Sequence, residues 1–235
     1  MKINSEQAIG IFDSGIGGLT VANAISKLLP NEQLIYFGDT AHLPYGDKSK
    51  ELISSYATAI TNFLLKEKNC KAIVIACNTA SAAAYETLRD TFKGVIPVIN
   101  VIDPMIEAVI ADDSIKKVGI IATKTTVASG VYQEKFTRRK PVLKFSAVAT
   151  PLLATMIEEG FYNDNISHAV LANYLSHEEL KDIDALVLAC THYPLLLERF
   201  KALAPWPVAW IDPAAAIARR VASLLPPQGQ PAKGL

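Results

Sequence analysis

The chain reads as an α/β protein made of two pseudo-symmetric doubly wound parallel-sheet domains, with the active site between them. Three observations predict this. Apolar, strand-length runs alternate with helix-length amphipathic segments, the pattern of parallel βαβ units. Part of the first half recurs in the second: Ile9-Gly10-Ile11-Phe12-Asp13-Ser14 is echoed by Val118-Gly119-Ile120-Ile121-Ala122-Thr123, and Ile102-Asp103-Pro104 by Ile211-Asp212-Pro213. Both echoes have an offset of 109 residues (Gly10 to Gly119, Asp103 to Asp212). Two further runs, Ile73-Val74-Ile75-Ala76 and Leu186-Val187-Leu188-Ala189, each end on a cysteine, Cys77 or Cys190. In open α/β sheets such strand ends are where ligands bind.

In order along the chain, strands are expected at residues 8–12, 33–37, 72–76 and 96–99, where Ile, Val, Leu and aromatics cluster. Helices are expected between them at 19–29, 50–68 and 80–92. Each Asp-Pro pair supplies an N-cap followed by proline at the first helical position, so helices should start near Asp103 and Asp212. These pairs also mark where the chain crosses between halves. The first domain is expected to comprise residues 1–97 plus 212–235, and the second residues 98–211. The last helix, from about Pro213 to Leu225, returns to the first domain, and Pro226-Pro227-Gln228-Gly229-Gln230-Pro231 stops it, leaving a mobile tail.

Composition bounds the function. The chain has 235 residues, half of them hydrophobic, which is enough for a large core. Its 23 basic and 23 acidic residues balance to zero and form no basic stripe, so no nucleic-acid partner is expected. The polar start, Met1 to Gln7, has no apolar signal core, and no run approaches the ~18–20 apolar residues that span a bilayer. A soluble, cytoplasmic protein with no membrane partner is expected. Three cysteines without tight spacing argue against a disulfide framework.

Asp13-Ser14-Gly15-Ile16-Gly17-Gly18 is a Gly-rich turn entering a helix, which presents free backbone N–H groups to an anion. It lacks both G-x-G-x-x-G and a Walker lysine, and Asp13 would repel a phosphate but suits an ammonium or a base. Pro44, Tyr45 and Gly46 form a loop offering backbone donors and a phenol. Cys77 stands at a helix start with Asn78, Thr79 and Ser81, so a lowered thiol pKa is expected there. Cys190 is followed by Thr191 and by His192, which can assist the thiol. Cys70 has no such neighbours and reads as structural. Cys77, Cys190, Asp13 and His192 are zinc-type ligands, but no C-x-x-C, H-E-x-x-H or matching pair occurs, so no metal is expected. A Cys–His hydrolase would leave the second matching cysteine unexplained, and for pyridoxal chemistry Lys124 is a weak candidate. No cofactor is expected. Two opposed thiols suit moving a proton from one face of a carbon to the other.

Together, Phe12-Asp13-Ser14-Gly15-Ile16-Gly17-Gly18-Leu19, Pro44-Tyr45-Gly46, Ala76-Cys77-Asn78-Thr79-Ala80 and Cys190-Thr191-His192-Tyr193-Pro194-Leu195 resemble the glutamate racemase family, in the family's order. The resemblance runs from about Ile9 to Val221. It implies cofactor-independent interconversion of L- and D-glutamate, supplying D-glutamate to peptidoglycan precursors, and a homodimer. By motif, Cys77 deprotonates D-glutamate and Cys190 deprotonates L-glutamate, with Asp13 and His192 as auxiliary acid/base residues. Asp13, Ser14, Pro44, Tyr45, Gly46, Cys77, Asn78, Thr79, Cys190, Thr191 and His192 match substrate-binding positions. Thr123 and Thr126 fit the second-half loop that helps hold the substrate, and Glu158 matches the family's glutamate near His192. Thr150 stands where members often have cysteine, and Thr155-Met156 replaces a common Pro-Leu. A racemase of aspartate or a related acid, and a non-catalytic amino-acid-binding protein on this fold, are the competing readings.

Overall fold

The computed structural model describes residues 7–162 and 165–225. The expected stop after Leu225, the tail beyond it and the polar start before Gln7 lie outside the described residues.

The first sheet is fully parallel, in the order β2-β1-β3-β4. Its strands are β1 (Ile9–Asp13), β2 (Leu34–Gly38), β3 (Ala72–Ile75) and β4 (Val98–Asn100), joined by helices α1 (Leu19–Leu28), α2 (Lys50–Lys66) and α3 (Asn78–Thr91). The second sheet repeats the order as β6-β5-β7-β8. Its strands are β5 (Lys117–Ala122), β6 (Lys144–Ala149), β7 (Ala185–Ala189) and β8 (Ala209–Ile211). The expected α/β fold with two matching parallel sheets is what the chain forms.

Helices on both faces bury the central strands β1, β3 and β7 along their whole length. That is why these strands read as continuous apolar runs rather than alternating ones. β4 pairs with β3, so the first sheet extends to Asn100, past residue 97. Periodicity blurs this end because Pro97 interrupts the run and only three residues pair.

The two helices after the fourth strands are exchanged. Helix α4 (Ile102–Ile110) buries Ile102, Met105, Ile106 and Val109 against Val118, Ile120 and Val187 of the second half. Helix α10 (Ala214–Leu224) buries Ile217, Ala218 and Val221 against Ile9, Ile11 and Val21 of the first. Asp212 caps α10, its Oδ1 accepting from the Ala214 N–H at 2.9 Å. Asp103 does not cap α4. Asn100 does so, its Oδ1 accepting from the N–H groups of Ile102 and Asp103, both at 2.8 Å. The Asp103 carboxylate pairs instead with Lys135 at 2.6 Å.

The remaining second-half helices are α5 (Lys124–Ala128), α6 (Val131–Arg139), α7 (Pro151–Glu158), α8 (Asn165–Leu175) and α9 (Leu197–Leu203). In each sheet the chain first steps from the first strand to one side, then returns to the other side for the third. The switch point therefore lies between β1 and β3 in one sheet and between β5 and β7 in the other, where a crevice opens beyond the strand ends. Among the described residues no helix is long and apolar enough to cross a membrane.

Candidate active site

Both crevices open into one cleft at the seam between the halves. The first half contributes Ser14 from the end of β1, Pro44, Tyr45 and Gly46 from the loop after β2, and Cys77, Asn78 and Thr79 from the end of β3. The second half contributes Thr123, Glu158, Cys190 and His192. Asp13, Thr126 and Thr191 stand behind this wall. Asp13 is wholly buried, with Oδ2 accepting from the Gly15 N–H at 3.0 Å and Oδ1 accepting from the Thr191 hydroxyl at 3.1 Å. Its carboxylate thus ties the two halves together. Thr126 joins Thr79 and Thr123 in a triangle of hydroxyls 2.9 to 3.3 Å apart, again across the halves.

The two thiols have unlike surroundings. Cys77 is the N-cap of α3, and its Sγ accepts from the Ala80 N–H at 3.4 Å while its S–H donates to Ser14 Oγ at 3.7 Å. The expected lowering of its pKa does not hold. Burial, reinforced by the Asp13 carboxylate, outweighs the helix-terminal donors and pushes the thiol up to about 12. Cys190 has no α-helix starting at its side, since a 3₁₀ turn at Tyr193–Leu196 precedes α9. Burial raises it as well, against the opposing His192 backbone N–H.

His192 lies between Cys190, 3.7 Å from Nδ1, and Glu158, whose Oε1 is 2.6 Å from Nε2. Glu158 Oε1 also accepts from the Ile16 N–H at 2.9 Å. A carboxylate in this position accepts from Nε2–H and leaves Nδ1 as an acceptor facing the thiol. The glycine turn is what lets the halves close this tightly. A Cβ on Gly17 would lie 2.6 Å from Thr191 Oγ1 and 2.7 Å from His192 Nδ1, and one on Gly15 would overlap Glu158.

Among the described residues no lysine or arginine lines the cleft, and no three His, Cys, Asp or Glu side chains cluster as a metal site. Lys124 is mostly exposed beside Asp47. Donors for a carboxylate are therefore neutral: Ser14, Asn78, Thr79, Thr123 and the backbone N–H groups at the start of α3. Cys70 is buried beneath β1, where burial alone raises it to about 11.

Sequence reasoning missed several supports. Buried Asp39 accepts from the Tyr45 hydroxyl at 2.5 Å and lies 2.7 Å from His42 Nδ1, which fixes the Tyr45 ring. Tyr36 donates to the Gly15 carbonyl at 2.7 Å, and Tyr132 donates to Asn78 Oδ1 at 2.6 Å. The Asp39-to-Gly46 run of turn formers signalled the first support. Nothing local signalled the tyrosines: Tyr36 stands in an expected strand and Tyr132 in none of the motifs. Thr150, where cysteine was noted as common, is buried with its hydroxyl 2.6 Å from the Tyr193 hydroxyl.

Two matched parallel sheets, each bringing one buried thiol to a shared cleft, define a two-domain α/β fold. The Asp/Glu/hydantoin racemase family pattern matches residues 17–221. The glutamate racemase of Chlorobaculum tepidum is 40% identical over 228 residues, 97% of this chain and 83% of that relative. The crystal structure of Francisella tularensis glutamate racemase in complex with D-glutamate superposes with a TM-score of 0.85 at 39% identity, covering 94% of this chain and 81% of that one. A Bacillus anthracis glutamate racemase isoform gives 0.87 at 36% identity, covering 94% and 82%. The chain belongs to the Asp/Glu/hydantoin racemase family and is an isomerase of the amino-acid racemase type.

Proposed function

We propose that the chain interconverts L- and D-glutamate by a two-thiol 1,1-proton transfer without a cofactor, supplying D-glutamate for peptidoglycan synthesis in the cytoplasm. The observation that carries this reading is the placement of Cys77 and Cys190 at equivalent strand ends of two matched sheets, both lining one cleft. The named relatives support glutamate as the substrate.

In this mechanism one thiol is ionised and takes the α-proton while the other, still protonated, delivers its proton to the opposite face. Cys77 acts on D-glutamate and Cys190 on L-glutamate. A thiolate that is hard to form is correspondingly basic, which suits a weakly acidic C–H. The substrate ammonium group brings the positive charge that offsets it. His192, held by Glu158, passes a proton to or from Cys190. Asp13 acts beside Cys77 from behind the wall, where it also fixes Gly15 and Thr191. Neutral donors, preorganised by the start of α3 and the hydroxyl triangle, hold the carboxylates and stabilise the carbanion. The first half, whose sheet runs on to Asn100 and which α10 rejoins, and the second half act as the two bodies that close on the substrate, and two chains assemble as a homodimer.

The test is exchange of the glutamate α-proton with solvent deuterium, starting from each enantiomer. The intact chain exchanges both. Cys77→Ser and Cys190→Ser abolish racemisation and leave exchange lopsided between the hands. Full racemisation by either variant rejects the two-thiol mechanism. Faster turnover of aspartate than of glutamate reassigns the substrate, and binding without exchange makes the chain a binding protein.

A further inference from the structure

We propose that Tyr132 is a positioning residue that locks the side-chain amide of Asn78, from the opposite half of the molecule, with its N–H₂ toward the cleft. This rests on the glutamate reading above and assigns a role to a residue outside all four motifs.

Tyr132 lies on α6, packed with Phe136 in the core of the second half. It is buried, and its hydroxyl donates to Asn78 Oδ1 at 2.6 Å. Asn78 is the first residue of α3 in the first half, next to Cys77, and lines the cleft. The bond therefore spans the two halves. Burial raises the tyrosine far above its ordinary pKa, so its proton stays in place to be donated. With Oδ1 taken, the amide nitrogen is the group left facing the cleft.

This orientation matters because no lysine or arginine lines the cleft among the described residues. A dicarboxylate there depends on neutral donors. A flipped amide would turn its carbonyl oxygen toward a substrate carboxylate and strand the Tyr132 proton in a buried site without an acceptor. The donor is thus held by a bond that only the apposition of the two halves supplies.

The test is a double-mutant cycle on the full chain, read as KM and kcat for both enantiomers. Tyr132→Phe keeps the ring and removes only the hydroxyl. It raises KM for L- and D-glutamate alike, by about five- to tenfold, the range for one lost hydrogen bond, while kcat changes by less than about threefold. Asn78→Ala raises KM at least as far, and adding Tyr132→Phe to it changes nothing more. Asn78→Asp leaves Tyr132 untouched and keeps its acceptor but removes the donor to the cleft, so KM rises as in Asn78→Ala. A wild-type KM in Tyr132→Phe or in Asn78→Asp overturns the lock, as do effects that multiply in the double variant. Absence of glutamate turnover in the intact chain overturns the activity reading and this role together. Turnover with an unmoved KM in the variants overturns the role alone.

Discussion

Alkylation of Cys77 by iodoacetamide, followed from pH 7 to 10 by peptide mass spectrometry, reads the thiol's ionisation directly, because only the thiolate reacts. Two effects compete at this sulfur. The Ala80 N–H at the start of α3 and Ser14 favour the thiolate, while burial and the Asp13 carboxylate oppose it. The structure gives the second pair the advantage, with a pKa of about 12. At pH 8 an ordinary thiol of pKa ~8.5 is about one-quarter ionised. A thiol at about 12 is ionised to roughly one part in ten thousand, about three orders of magnitude less. Steric shielding scales the rate but not its pH dependence. The logarithm of the Cys77 alkylation rate should therefore rise with unit slope across the whole range without levelling. A plateau below about pH 9 would refute the reasoning, since it would mean that the helix terminus outweighs burial.

The same thiols shape stability against pH. Their folded pKa values are raised, so their contribution is intact below the unfolded value of ~8.5 and is lost as pH climbs toward the folded value. Each should cost about 1.4 kcal/mol per pH unit above 8.5, and urea melts at pH 8, 9 and 10 of the chain and of Cys77→Ala/Cys190→Ala should show the slope flattening in the variant. Gly17→Ala would place a methyl within 2.6 Å of Thr191 Oγ1 and 2.7 Å of His192 Nδ1, pushing His192 off both Cys190 and Glu158. It should lower kcat/KM by at least about a hundredfold, the usual cost of a misplaced catalytic group. Circular dichroism should stay native, and activity within threefold of wild type would contradict the close approach.

Much of the site was legible because chemistry and topology share short motifs. Cys77-Asn78-Thr79 and Cys190-Thr191-His192 each sit on the residues that end a central strand, so their strand-end position could be read from the apolar run before them. The 109-residue echo between Gly10 and Gly119 foretold two sheets of the same strand order. Other features were not legible. Asn100 rather than Asp103 caps α4, because the helix starts two residues earlier than the Asp-Pro signal implies. Glu158 and His192 are 34 residues apart, and the family resemblance rather than any local pattern placed them together.

The sequence by itself determined the parallel βαβ architecture, the duplication and the identity of the paired thiols, because period, turn chemistry and motif spacing are local properties. The tertiary structure decided how each thiol is tuned. A helix N-terminus promised an acidic Cys77, yet its pKa depends on how much water and which charges surround the sulfur, and those are supplied by residues from the other strands and the other half. It likewise decided that Asp13 and Thr191, 178 residues apart, share a hydrogen bond, and that the Tyr132 hydroxyl donates to Asn78 Oδ1. Such pairings exist only once the two halves have closed on one cleft, and no local pattern encodes that closure.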